Sequence, residues 1–258
     1  MKKYELTTNT IMRFGRKLFQ IKALVSFGDV TAGDLGGYIE KEENLSHNGD
    51  SWVSGDARVF GDARVYGNAR VYGNALVYGN ALVYGNARVY GNARVYGNAQ
   101  VYGDAQVCGD AQIYGDAQVY GDALVYGNAR VCGDARVCGN ARVYGNALVY
   151  GNALVYGNAR VYGNAQVYGD AQVCGDARVC GDADYICLKG FGSKNRTTTM
   201  FRTKSGDIYV CCGCFKGSLK EFAEKVKETH GSSKYAKEYL ACVEVAKIHF
   251  EIGEKDDK

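Results

Sequence analysis

Val65-Tyr66-Gly67-Asn68-Ala69-Arg70 is followed at once by Val71-Tyr72-Gly73-Asn74-Ala75-Leu76, and this hexad runs on without insertion from Val53 to Asp184, 22 times in all. The first position is Val in 21 hexads and Ile113 in the other; the third is always Gly and the fifth always Ala. The fourth is Asn in 12 and Asp in 10, and the second is Tyr in 15 and Cys in five, with Ser54 and Phe60 at the start. The sixth varies among ten Arg, six Gln, five Leu and Asp184. A repeat this short is too small for a helical unit. It suits a strand, Ala-x-Val-Tyr, closed by a corner of Gly and Asn or Asp, residue types that tolerate positive φ. Strand alternation then puts Ala and Val on one face and x and Tyr on the other.

An antiparallel meander with Gly-Asn hairpins is the rival arrangement. Around a two-residue loop, Tyr would pair with the next Ala, and paired residues share a face. Successive strands would turn Val to opposite sides, leaving no apolar face to bury. Parallel stacking keeps Val over Val, each burial contributing about 1.5–3 kcal/mol. The meander is rejected.

The hexad resembles the hexapeptide repeat of left-handed β-helix proteins, in which an aliphatic residue is followed four positions later by a small one, as Val65 by Ala69 and Val71 by Ala75. The resemblance covers all 132 residues of the array. It implies a mostly β protein: a left-handed parallel β-helix, a triangular solenoid of three hexads per coil and about seven coils. At ~4.8 Å per coil the rod is roughly 35 Å long. Handedness comes from the resemblance alone, and a flatter two-hexad coil stays open.

Three regions follow: an N-terminal β cap over 1–52, the solenoid over 53–184 and a small α+β module over 185–258. A solenoid exposes strand edges and core at both ends and so needs caps. In the first region, Thr10–Phe14 and Leu18–Leu24 read as a hairpin, and Trp52, the single tryptophan, as a lid on the first coil. The stretch from Phe27 to Val53 resembles the N-terminal segment of an uncharacterised group of bacterial and phage hexapeptide-repeat proteins. One enterobacterial member has been named a transferase on fold analogy. The resemblance implies a capped solenoid of bacterial or phage origin and no particular activity. In the last region, Tyr185–Leu188, Thr197–Arg202 and Asp207–Cys212 read as strands. Ser218 with Glu221 forms a capping box for a helix ending at Gly231, and a second helix spans about Lys234–Phe250. This module resembles segments of hypothetical phage proteins.

Charge excludes little. The three regions carry 7, 10 and 14 basic against 7, 11 and 10 acidic residues, for a net +3, so nucleic acid is not an expected partner. Met1-Lys2-Lys3-Tyr4 opens no signal peptide, and no stretch is long enough to span a bilayer. Cys108, Cys132, Cys138, Cys174 and Cys180 merely replace Tyr in the repeat, so the thiols are expected reduced, in a cytoplasm, that of the host if the gene is viral.

Left-handed β-helix enzymes are chiefly acyltransferases, which as families use histidines on the coils and loops that break the hexads. This array has no His, one Ser and no interruption, so it lacks a general base and a metal-ligand set. No catalytic residue, cofactor or metal is expected. Cys211, Cys214 and His230 are the nearest approach to a zinc site, without a second ligand pair at finger spacing. The outer surface is the better candidate. Every third hexad falls on one face, stacking Tyr66, Tyr84, Tyr102 and Tyr120, with Arg70, Arg88, Arg142 and Arg160 expected beside them. Aromatics beside arginines suit a carbohydrate or anionic ligand. Flat ladders with outward Leu76, Leu82, Leu148 and Leu154 also suit a homo-oligomer. The expected function is a non-catalytic structural or binding scaffold, phage- or prophage-encoded, that presents this surface and the C-terminal module to a partner. The alternative is a diverged acyltransferase or an activity housed in the module.

Overall fold

The computed structural model describes residues 1–252. Each hexad contributes a two-residue strand, x-Val, that pairs in parallel with the strand three hexads on. Three parallel sheets result, which form the faces of the solenoid. Val95 pairs with Ile113 on the first face, Val101 with Val119 on the second and Val89 with Val107 on the third. This offset rules out the flatter two-hexad coil. Every first-position Val or Ile of the hexads, and every fifth-position Ala except the exposed Ala183 of the last, is essentially inaccessible to water and belongs to one continuous core.

The hexads alone make just over seven coils, and Ile39 and Leu45 of the cap complete a first coil that brings the solenoid to eight. Ile39, Leu45 and Val53 form it, pairing with Val59, Val65 and Val71. Gly36 and Gly37 let the chain cross close to this coil: a Cβ on Gly37 would lie 2.6 Å from the Ala57 carbonyl oxygen. The hairpin of Tyr4–Arg13 and Arg16–Ala23 extends the first-face sheet beyond Leu35–Ile39. Tyr4 is fully buried and donates its hydroxyl to the Leu45 carbonyl at 2.7 Å. Trp52 does not lie across the coil. It stands at the outward x position paired with Arg70, where Phe27 and Tyr4 meet it edge-on.

The corners divide labour differently from the expectation. Glycine alone takes the positive φ, near +70°, and no corner Asn or Asp does. The Asn side chains instead form amide ladders up the corners, as in Asn68 to Asn86 at 3.1 Å and on to Asp104.

At the far end a four-stranded antiparallel sheet closes the rod: Tyr185–Phe191, Arg196–Arg202, Ile208–Cys212 and Phe215–Ser218. The fourth strand is short and contains Gly217, which hid it from pattern reading. Alternation sorts the faces. Tyr185, Phe201 and Cys211 join the solenoid core, while Met200, Val210 and Cys212 join a second core beneath the helices. Thr199 accepts the Gln172 backbone N–H, and Lys204 donates its N–H to Asp176, so part of the last coil's edge is satisfied. Helix α1 (Leu219–His230) starts at Ser218, whose hydroxyl accepts from the Glu221 N–H at 3.2 Å, and stops at Gly231. Helix α2 covers Lys234–His249. No helix among the described residues is long and apolar enough to cross a membrane.

Candidate functional site

The second hexad position follows an inward Val, so its side chain points outward, and in-register coils set like over like. On the second face Tyr66, Tyr84, Tyr102 and Tyr120 stack with centroids 4.8–4.9 Å apart and planes within 4° of parallel. A centroid spacing equal to the coil rise with nearly parallel planes is offset stacking. Phe60, Tyr78, Tyr96 and Tyr114 do the same on the first face, where Phe14 of the cap hairpin stacks on Phe60. The third face carries Tyr72 on Tyr90 and, above Cys108, Tyr126, Tyr144 and Tyr162. One cysteine interrupts each ladder at mid-rod: Cys132, Cys138 and Cys108.

The expected arginines lie elsewhere. The strand proper is only x-Val, so Tyr66 ends one face and Arg70, past the Gly67-Asn68 corner, opens the next. The second-face tyrosines instead run beside Arg64, Gln100, Gln118 and Arg136. The Tyr84 hydroxyl reaches the Gln100 side-chain oxygen at 3.3 Å, and Tyr90 and Tyr96 make the same contact with Gln106 and Gln112. Arg70 and Arg88 share the third face with Tyr72 and Tyr90, and Arg142 and Arg160 share it with Tyr126, Tyr144 and Tyr162. Arg70 is tied to Asp29 of the cap. Arg142 and Arg160 pair in register one coil apart, and no ion pair engages either among the described residues. The third face therefore joins a tyrosine ladder to unpaired guanidinium groups, an arrangement the assumption of a four-residue strand had concealed.

Burial raises the Tyr66, Tyr84 and Tyr102 hydroxyls above the ordinary phenol range. Tyr120 is pushed up to about 12, first by its contact with Cys138 and then by burial. These faces therefore present neutral hydroxyls near pH 7. Leu76 is buried beside the stacked rings, and Leu82, Leu148 and Leu154 are half-buried, so they offer less free apolar surface than their outward position suggested.

The cysteine-rich strand end does not converge. Cys211 faces the rod, Cys212 faces the helices and accepts from the Thr198 hydroxyl at 3.2 Å, and Cys214 lies exposed in the turn. His230 is the last residue of α1, beside Tyr239. No group of three or more metal-ligating side chains gathers among the described residues. Cys212, Cys214 and His230 do line a cleft of about 490 Å³, with Arg196, Lys216 and Lys225 at its rim and Phe215, Phe222 and Tyr239 as its apolar wall.

The family model described as the YdcK β-solenoid repeat matches the chain at residues 63–79, 69–85, 75–89, 87–103, 117–133, 135–151, 141–155, 147–163 and 153–169. All nine stretches lie within the hexads, and the chain is similar to that repeat there. No curated protein matches it.

Proposed function

We propose that this β-solenoid repeat protein is a non-catalytic scaffold that presents its rigid faces and its C-terminal module to a partner. The observation that carries this reading is the uninterrupted eight-coil rod, closed at both ends, whose hexads expose tyrosine, arginine, glutamine, asparagine and aspartate without one histidine. Within it, the third face supports recognition of an anionic surface or glycan: Tyr126, Tyr144 and Tyr162 stack there beside Arg142 and Arg160. The outward edges and hydroxyls of the stacked rings offer apolar and hydrogen-bonding contact, while the guanidinium groups pair with carboxylate or sulfate. Left-handed coiling and phage or prophage origin belong to this proposal and rest on the sequence resemblance. A reducing cytoplasm belongs to it too, supported by cysteines that stand in for tyrosine.

The test compares the full chain with the double variants Arg142→Gln/Arg160→Gln and Tyr144→Ala/Tyr162→Ala in capture and glycan-array experiments at two salt concentrations. Binding lost in both variants, and weakened by salt in the parent chain, supports the reading. Binding indifferent to all four substitutions, or turnover of an acyl-CoA, overturns it. A second reading places an activity in the module, favoured by the basic, aromatic-walled cleft between Arg196 and His230. Arg196→Ala and His230→Ala would then abolish a reaction that deletion of third-face arginines leaves untouched.

A further inference from the structure

Cys174 holds the tyrosine position of the last coil on the second face, and Cys211 faces it from the module strand Ile208–Cys212. Their sulfurs are 2.9 Å apart, and the two residues are only 3% and 2% exposed. A tyrosine ring at 174 would collide with the module, so a small residue is required there. Packing alone would accept alanine or serine on either side; a thiol on both sides is a different matter.

The surroundings distinguish the two sulfurs. The two sulfurs share a hydrogen bond in which either can be the donor, and Cys174 also interacts with the Tyr156 hydroxyl one coil back. Lys216 lies over the Tyr156 ring at 4.7 Å and adds positive charge. Together these groups hold the Cys174 thiol below the usual thiol range, against the opposing effect of burial. The same contact, with burial, pushes Cys211 far up. Of the two sulfurs, Cys174 is the more readily ionised.

We propose that Cys174 and Cys211 are an oxidisable dithiol that closes into a disulfide, bolting the C-terminal module to the last coil of the rod. The oxidant class is a small peroxide able to reach a nearly closed interface. The Cys174 thiolate attacks one peroxide oxygen; the O–O bond breaks, and hydroxide leaves and is protonated to water. The Cys174 sulfenic acid that results is attacked by Cys211; the S–S bond forms, the S–O bond breaks, and a second water leaves with the Cys211 proton. Two thiols and one peroxide give one disulfide and two waters. Module and rod then share a covalent link in place of a separable packed interface, which goes beyond the scaffold reading and is independent of any partner.

The experiment exposes reduced full-length protein to graded hydrogen peroxide, alkylates the remaining thiols and maps peptides without reductant. The expected result is a Cys174–Cys211 linked peptide in a chain lighter by two hydrogens, reversed by dithiothreitol. It should form before the exposed Cys180 and Cys214 are consumed. In Cys211→Ala, dimedone should label Cys174; in Cys174→Ala, Cys211 should resist oxidation. Cys174 and Cys211 both remaining alkylatable after Cys180 and Cys214 are fully oxidised would overturn the proposal, as would either sulfur linked to a different cysteine. The mapping on the unmodified chain decides the matter even if a variant folds poorly.

Discussion

The side-chain amide of Asn98 donates to the Asp116 carboxylate one coil on, Nδ2 to Oδ1 at 2.9 Å, and the corner ladder stops there because the next residue in the column is Asp134. A carboxylate has no donor to pass on. Asp104 and Asp122 break the neighbouring corner in the same way. Two like charges one coil apart repel, which the amides elsewhere avoid. Asp134→Asn should therefore stabilise the rod by about 0.2–1 kcal/mol, the usual worth of a stacked polar pair. Thermal melting at low and high salt checks this: the gain should shrink with salt. A loss of stability at low salt would contradict the ladder as described.

Gly97 has φ +71°, and a Cβ there would sit 3.0 Å from the Gly115 nitrogen. Gly169 has φ +63° with nothing within 4 Å of the same point. Both alanine variants carry the left-handed backbone penalty of about 1–2 kcal/mol. Only Gly97→Ala adds a clash with the coil beyond it. Denaturant melts should rank Gly97→Ala as clearly the more damaging, and equal losses would mean that the coils can spread at little cost.

The Lys3 ammonium is almost wholly buried in the cap, donating to the Ser51 carbonyl at 2.7 Å and lying over the Phe27 ring. Desolvation lowers its pKa from 10.5 to about 8. Below pH 8 both folded and unfolded chains hold the proton, and the cap bears the full cost of the buried charge. Between pH 8 and 10.5 the unfolded chain binds more protons, so this contribution makes stability rise with pH. Lys3→Met removes the titration. Subtracting its melting curves from those of the parent chain should leave a positive slope confined to that window, and a flat or negative difference would refute the buried ammonium.

How much of this was legible in advance depends on the range of the interaction. The hexad announces its parallel stack because register alone decides whether Val65 meets Val83 or faces water. The Ser218–Glu221 box marks a helix start because capping is local. The first coil was hard to read: Ile39 and Leu45 keep the six-residue spacing but have no glycine corner between them, and two extra residues separate Leu45 from Val53, where the regular hexads begin. The pairing of Tyr66 with Arg70 failed for a similar reason, since where a strand ends and a corner begins is a matter of backbone geometry, and the corner moved the arginine to the next face. Cys174 looked like any other tyrosine replacement, because only the folded chain shows Cys211 opposite it.

The module's role as a cap can be tested by ending the chain at residue 184. That cut uncovers the core at Val167, Val173 and Val179 and removes Phe201, which is fully buried against it. It also strips the Thr199 and Lys204 contacts from the last coil. Open parallel edges around an apolar core are a template for another chain. The shortened rod should keep its β signature yet self-associate end to end, seen as concentration-dependent growth in light scattering and sedimentation. A milder probe is Phe201→Ala in the full chain, expected to cost about 3–5 kcal/mol while leaving the N-terminal coils protected from hydrogen exchange. A shortened rod that stays monomeric, with its melting unchanged, would mean that the last coil is closed by its own side chains and that the module is cargo, not cap.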